Sequence, residues 1–80
     1  MALVSPNDMM AAAKEQMLGG GEPESREDWV DIVRFLAVNI HHDLVFGALK
    51  LFRVMYHIPL TDREIRVIAT AQLSAEAARN

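Results

Sequence analysis

The chain of 80 residues has no cysteine, only three histidines and no long uninterrupted hydrophobic run. Without cysteine it cannot form disulfide bonds, and three histidines offer no obvious structural zinc site. The most apolar stretch, residues 44–58, is interrupted by Lys50, Arg53 and His57. We therefore expect no transmembrane span, no signal peptide at the N-terminus and a cytoplasmic location.

Groups suited to catalysis are also scarce. Serine occurs only at Ser5, Ser25 and Ser74, and the first two stand where helix caps are expected, so no nucleophile has a base within evident reach. The paired carboxylates Glu27 and Asp28 fit the first turn of a helix, where they interact favourably with the helix dipole. We expect no enzymatic activity and no cofactor.

The charge balance bears on the class of partner. Eight basic residues stand against eleven acidic ones, which gives a net charge of −3 and disfavours nucleic acid as the main partner. The chain is also 51% hydrophobic, more than one small core readily hides. We therefore predict another protein as the partner, and a homodimer in particular.

Capping residues and breakers predict where helices begin and end. Ser5 precedes a proline, Ser25 precedes two acidic residues, and Thr61 precedes Glu64 at capping-box spacing. Apolar residues follow each start at helical spacing, and no segment has the pattern of a strand. We predict an all-α fold with a small bundle of three packed helices at about 25–40, 43–57 and 61–78. An N-terminal helix at 1–18 is joined through a flexible linker at 19–25 to this helical domain, 26–80.

Two roles are open for the first helix. Met9, Met10, Ala13 and Met17 share one of its faces, and the glycine run at 19–21 would let it move. Because methionine side chains adapt to irregular surfaces, the helix is predicted to be an arm that binds a partner. The alternative is that the same residues complete a four-helix core across the linker.

The segment His41-His42-Asp43 raises the question of a metal site. Adjacent histidines on a helix or strand point apart, and His57 lies several turns away, so we predict no metal ligands here. A single helix over residues 26–57 would be about 48 Å long, which is too long for this chain. We therefore interpret the segment as a turn, with Asp43 as the N-cap of the third helix. A pH-sensitive contact is the remaining alternative.

The C-terminal segment "LTDREIRVIATAQLSAEAARN" resembles the opening of a helix-turn-helix domain of the LuxR type. The residues that carry the resemblance are Leu60, Thr61, Arg63, Glu64, Val67, Ile68, Ala69, Leu73 and Ser74. The resemblance implies DNA binding through a second, recognition helix. The sequence departs from the pattern at Gln72, which replaces the usual turn glycine, and it ends before a recognition helix is expected.

Two function classes follow. The first is a non-enzymatic protein-interaction module, an adaptor or inhibitor that occupies a surface of another protein. The second is a small DNA-associated regulator with a degenerate helix-turn-helix. We favour the first because of the excess of apolar residues and the acidic net charge. The predicted partner-binding residues are Met9, Met10, Met17, Phe35, Val38, Phe46, Lys50 and Arg53.

Overall fold

The structure, a computed structural model, describes residues 5–79, and within this range it is all-α. The helices are α1 (Pro6–Leu18), α2 (Arg26–Asn39), α3 (Val45–Met55) and α4 (Asp62–Arg79). No strand occurs between residues 5 and 79, so the predicted fold class is confirmed. Residues 1–4 of the predicted first segment and residue 80 of the predicted domain lie outside the described range.

Three helices begin at the caps predicted from the sequence. The Ser5 hydroxyl accepts a hydrogen bond from the Asp8 backbone N–H at 3.1 Å. Ser25 and Asp28 form a reciprocal capping box at the start of α2. Thr61 and Glu64 do the same for α4, with both hydrogen bonds at 3.0 Å. Each cap satisfies backbone N–H groups that have no partner inside the helix.

The glycine run closes α1 and turns the chain toward α2. Gly19 and Gly20 have φ angles of 65° and 91°, a region that glycine adopts without steric cost. The Gly20 N–H donates to the Lys14 carbonyl at 3.1 Å, and the Lys14 ammonium contacts Glu22 at 2.9 Å. The connection is therefore a defined C-cap held by local contacts.

Helix α2 forms the centre of the bundle and packs against α1, α3 and α4. Its residues Ile32, Val33, Leu36 and Ala37 are fully buried. The other buried hydrophobic side chains are Met10, Ala13, Val30, Val45, Leu49, Phe52, Ile58, Leu60, Ile65 and Ala69. One core thus draws on all four helices and on the loop between α3 and α4.

The first helix belongs to this core, which changes the expected role of its methionines. Met10 and Ala13 are buried, 2% and 0% exposed, and Met9 is partly buried against the same cluster. The Tyr56 hydroxyl also donates a hydrogen bond to Asn7 at the start of α1. The arrangement is the four-helix alternative, and the prediction that Met10 offers its side chain to a partner is corrected.

The connection between α2 and α3 is a turn, as expected, but its cap is different. The N-cap residue of α3 is Leu44, and no side chain caps this helix. The Leu44 N–H donates to the His41 carbonyl at 2.8 Å, which closes the turn one residue later than predicted. The prediction that Asp43 caps α3 is therefore wrong, and its carboxylate faces the two histidine rings instead.

Helix α3 ends two residues before the predicted end at His57. His57 has a φ of 52°, and the Ile58 N–H donates back to the Arg53 carbonyl at 3.1 Å. This is the left-handed C-terminal motif that glycine usually provides. Ile58 and Leu60 then enter the core on either side of Pro59. Among the described helices, none is both long and apolar enough to cross a membrane.

Candidate interaction surface on α3

Helix α3 is apolar on two sides, and the bundle covers only one of them. Val45, Leu49 and Phe52 face the core and are buried. Other large apolar side chains are exposed to solvent. Phe46 is 40% exposed beside the start of α4. Leu44 at the N-cap is exposed by 65%, Leu51 by 57%, Val54 by 64% and Met55 by 44%. We call these four residues the α3 apolar face.

Helical spacing places the residues of the α3 apolar face along one line. Leu44, Leu51 and Met55 are separated by seven and four residues, which keeps them on one side of a helix with 3.6 residues per turn. Val54 lies beside this line. Gly47 and Ala48 fall between the large residues, and nothing lies within 4 Å of a Cβ built on Gly47. The surface thus has a shallow centre between large apolar side chains.

The charged residues of α3 lie on a different side of the helix. Lys50 and Arg53 are about 100° or more from the line through Leu51, and Lys50 lies at the edge of the α3 apolar face, one turn before Val54. The Arg53 Nε donates to the Leu60 carbonyl at 2.7 Å and lies 3.8 Å from Asp62. Arg53, which was predicted to bind a partner, therefore fixes the loop that follows α3.

A cleft between α3 and the start of α4 contains two more of the predicted residues. Apolar side chains from Phe46, Leu49 and Ile65 line it, together with the charged side chains of Lys50, Asp62, Arg63 and Arg66. The Arg66 guanidinium lies over the Phe46 ring, 5.9 Å from its centroid. Phe46 and Lys50 are thus brought together at a cleft with three cations and one carboxylate.

The remaining predicted residues are not brought together with this cleft. Phe35 is partly buried against the core, and Val38 on the same helix is 40% exposed. On α1, Met9 is partly buried and Met17 is 38% exposed. Of these four residues, Val38 and Met17 are the more exposed, and each is a single exposed apolar residue on its helix.

The sequence predicts this surface only in coarse terms, as a dimer that buries part of residues 44–56 or the pair Phe35 and Val38. Leu44, Leu51 and Met55 belong to the wide apolar stripe behind that prediction, whereas Val54 was not identified. A signal was present, because a stripe over nearly half the circumference is wider than two neighbouring helices cover. What the sequence did not show is which half of the stripe faces the bundle.

One carboxyl group at the start of α4 has a strongly altered pKa. The backbone hydrogen bond from Thr61 is the largest cause, and a hydrogen bond from Arg26 is the next; together they lower the pKa of Glu64 to about 2. Arg26 stands at the start of α2, so its ion pair with Glu64 joins the N-terminal ends of α2 and α4. The shift reflects capping and helix pairing, and Glu64 lies in no enclosed cavity.

The histidine turn does not have the geometry expected of adjacent histidines. The rings of His41 and His42 stack with centroids 4.6 Å apart, at a turn that spans residues 41–44. Both rings face the Asp43 carboxylate, at 3.8 Å from His41 Nδ1 and 3.2 Å from His42 Nε2. The expectation that these side chains point apart is therefore wrong.

The resemblance of residues 60–80 to a helix-turn-helix does not extend to the turn. Helix α4 continues from Asp62 to Arg79 and passes through Leu73 and Ser74 without a break. Thr61 and Glu64 match the LuxR-type pattern because they form a capping box, and Ile65 and Ala69 are ordinary core residues. Up to residue 79 there is no second helix after a turn at this position.

No protein-family model, curated protein or solved structure matches this chain. The geometry of the α3 apolar face and of its neighbouring cleft is therefore the basis on which a function is assigned.

Proposed function

We propose that this protein is a non-enzymatic protein-interaction module that forms a homodimer through the α3 apolar face. One observation carries the proposal: Leu44, Leu51, Val54 and Met55 expose large apolar side chains on one side of a single helix, with no charged residue among them. Contiguous exposed apolar surface is typical of protein interaction sites, whereas single exposed hydrophobic residues are common everywhere.

A second copy of the chain is the occupant that suits this face. Two copies related by a twofold axis place the same apolar residues against each other, so both faces are covered in one contact. The face has no charge of its own that would repel its copy. Each square ångström of apolar surface removed from water contributes about 25 cal/mol, so leaving both faces exposed is the less stable arrangement.

The size of the face sets the expected affinity. The eleven residues of α3 span about 16 Å along the helix axis. A contact between two helices of this length lies at the small end of specific interfaces, which bury about 800 Å² per partner in the standard case. We therefore expect dissociation constants in the micromolar range.

The cleft between α3 and α4 supports the adaptor or inhibitor part of the proposal. Lys50, Arg63 and Arg66 surround a partly apolar surface that includes Phe46. A partner segment that combines acidic groups with an apolar side chain is complementary to this cleft. Phe46 and Lys50 are about 100° or more from the line through Leu44, Leu51 and Met55, so a dimer centred on that line leaves this cleft available.

Two further observations favour this class over the others. No polar or charged side chain is buried between residues 5 and 79, so this range has no desolvated group of the kind that catalysis uses. A DNA-associated regulator has less support, because α4 is continuous where the helix-turn-helix pattern requires a turn. The net charge of −3 also opposes binding to DNA.

The experiment is sedimentation of the full chain over a range of concentrations up to tens of micromolar. We expect the mass to rise from 8.9 kDa toward twice that value in the wild type and to stay at the monomer value in Leu51→Glu. The matched control is Val67→Glu, because Val67 on α4 is 62% exposed but lies outside the α3 apolar face. This variant should dimerise like the wild type.

The proposal is overturned by a wild type that stays monomeric at every concentration, or by Val67→Glu abolishing the dimer as fully as Leu51→Glu does. Circular dichroism checks that both variants keep their helix content. Binding to neutral or anionic lipid vesicles is measured as well. If the wild type is monomeric and binds vesicles, and Leu51→Glu does not bind them, the α3 apolar face contacts a membrane surface instead of a second chain.

A further inference from the structure

The turn between α2 and α3 holds three potential metal ligands in consecutive residues. One imidazole nitrogen of His41, one of His42 and one carboxylate oxygen of Asp43 all lie within 4.8 Å of one another. All three side chains are exposed, by 62%, 74% and 73%, so an ion reaches them directly from solvent. None of the three residues belongs to the α3 apolar face or to the cleft between α3 and α4, although Asp43 directly precedes Leu44 of that face.

Two of the three distances between the ligand groups are close to the edge length of a coordination polyhedron, and all three ligand atoms lie within 4.8 Å. With metal–ligand bonds of about 2.0–2.2 Å, neighbouring ligand atoms of a tetrahedral ion are separated by about 3.3 Å. The Asp43 carboxylate lies 3.2 Å from His42 Nε2 and 3.8 Å from His41 Nδ1. Small rotations of exposed side chains bring three such atoms to a common ion, because no neighbouring packing holds them in place.

We propose that His41, His42 and Asp43 form a solvent-open site for one divalent transition-metal ion of the Zn²⁺ type. Two imidazole nitrogens and one carboxylate oxygen suit zinc and its first-row neighbours, whereas Mg²⁺ and Ca²⁺ prefer oxygen ligands alone. Three protein ligands leave at least one coordination position for water. The inference does not rest on the proposed dimer, because its three ligands come from one chain.

The turn itself prepares the ligands. The hydrogen bond from the Leu44 N–H to the His41 carbonyl, at 2.8 Å, sets the backbone so that both rings stand on the same side. The Asp43 N–H donates to His41 Nδ1 at 3.3 Å, which requires a free lone pair on that nitrogen. An unprotonated imidazole nitrogen is also the form that binds a metal, so the ion replaces this long hydrogen bond and the contacts of Asp43 with the two rings.

Calorimetric titration of the full chain, free of any affinity tag, with ZnCl₂ tests the site. We expect one ion per chain with micromolar affinity in the wild type. His41→Ala, His42→Ala and Asp43→Asn should each weaken binding by about tenfold or more, since even the loss of a side chain that only orients a ligand costs about 10–100-fold. The matched control is His57→Ala, because His57 is the only other histidine and lies at the opposite end of α3.

Each outcome decides the question. Weaker binding in the three turn variants with unchanged binding in His57→Ala supports the site. No heat of binding in the wild type overturns it, and so does wild-type affinity in the double variant His41→Ala/His42→Ala. Equal losses in His57→Ala and the turn variants also overturn it, because they place the ion elsewhere. The Leu51→Glu variant, which should stay monomeric, is titrated in the same way, and sedimentation gives its mass with zinc bound. The test of the metal site then does not depend on dimer formation.

Discussion

Helices α2 and α3 both carry wide apolar stripes, but the bundle covers them to different degrees. Helix α2 lies against α1, α3 and α4, and Ile32, Val33 and Leu36 are fully buried. Helix α3 lies mainly against α2 and α4, so Leu51 and Val54 remain more than half exposed. In a small bundle, one helix occupies the centre, and a peripheral helix with an equally wide stripe needs a neighbour from outside.

The largest effect expected from this comparison is on the free energy of unfolding. Leu36 on α2 is 0% exposed and Leu51 on α3 is 57% exposed, so the same substitution tests both helices. We expect Leu36→Ala to destabilise the fold by about 2–5 kcal/mol, because it leaves a cavity in the core. Leu51→Ala should change the stability of the monomer by less than about 0.5 kcal/mol.

Urea denaturation measures both values, at a protein concentration low enough that the monomer dominates. Dimerisation makes apparent stability depend on concentration, so Leu51→Ala should lose stability against the wild type only at high concentration. Equal costs for the two variants in the monomer would contradict the comparison, because they would mean that the bundle covers α3 as fully as α2.

A second, smaller effect concerns α1. Met10 is 2% exposed and Met17 is 38% exposed on the same helix. Helix α1 makes its main contacts with α2, and Met10 is buried at this contact. Met10→Ala should therefore destabilise the fold by about 2–3 kcal/mol. Met17→Ala should cost less than about 1 kcal/mol. Thermal unfolding compares the two, and a negligible cost for Met10→Ala would restore the interpretation of α1 as an independent arm.

The sequence predicted the helices well because their starts are chemically explicit. Ser5, Ser25 and Thr61 are capping residues whose side chains satisfy backbone N–H groups, and each one begins a helix in the structure. Such signals depend on two to four neighbouring residues, so they can be interpreted without knowledge of the fold. The all-α class followed from them and from the helical spacing of apolar residues.

At the turn formed by residues 40–44, the N-cap predicted from neighbouring residues was wrong. Asp43 has the right chemistry for a cap, but the Leu44 N–H bonds to the His41 carbonyl and the helix begins after Leu44. Without an explicit capping pattern, a boundary is uncertain by one or two residues. That small difference turns the Asp43 carboxylate from the helix end toward His41 and His42.

The candidate surface could be predicted only in part. The sequence indicated that α3 has more apolar residues than a small core covers, and it identified Phe46 and Lys50. It could not show that Val45, Leu49 and Phe52 face inward while Leu51 and Val54 face outward. That choice depends on the position of α3 against α2 and α4, which arises from packing across the whole chain.

The ion pair between the N-terminal ends of α2 and α4 is expected to make the stability depend on pH. Glu64 ties α4 to Arg26 of α2, and its folded-state pKa of about 2 lies below the ordinary value of 4.5. Because the folded state binds this proton less tightly than the unfolded state, the contribution of Glu64 to stability is full above pH 4.5. It is lost as the pH falls toward 2.

Chemical denaturation between pH 6 and pH 2 tests this dependence. Glu64→Gln should remove part of the loss of stability that the wild type shows on acidification, because the residue no longer titrates. Arg26→Gln should remove a smaller part, since the backbone hydrogen bond from Thr61 is the larger cause of the shift. Identical pH profiles for the wild type and Glu64→Gln would contradict the assignment.

The smallest expected effect is a gain in stability at the end of α3. The C-cap of the central helix α2, Ile40, is extended, whereas His57, two residues after the end of α3, has a φ of 52°, where a Cβ atom is unfavourable. His57→Gly should therefore stabilise the fold by about 0.5–1 kcal/mol, because glycine adopts this conformation without the steric cost. His57→Ala keeps the Cβ atom and should leave the stability close to that of the wild type.

Thermal unfolding of the two variants separates the backbone effect from the loss of the imidazole ring, since both lack the ring and only one relieves the strain. A gain of equal size in both would show that the exposed ring, and not the left-handed backbone, is what limits the stability of this end of α3.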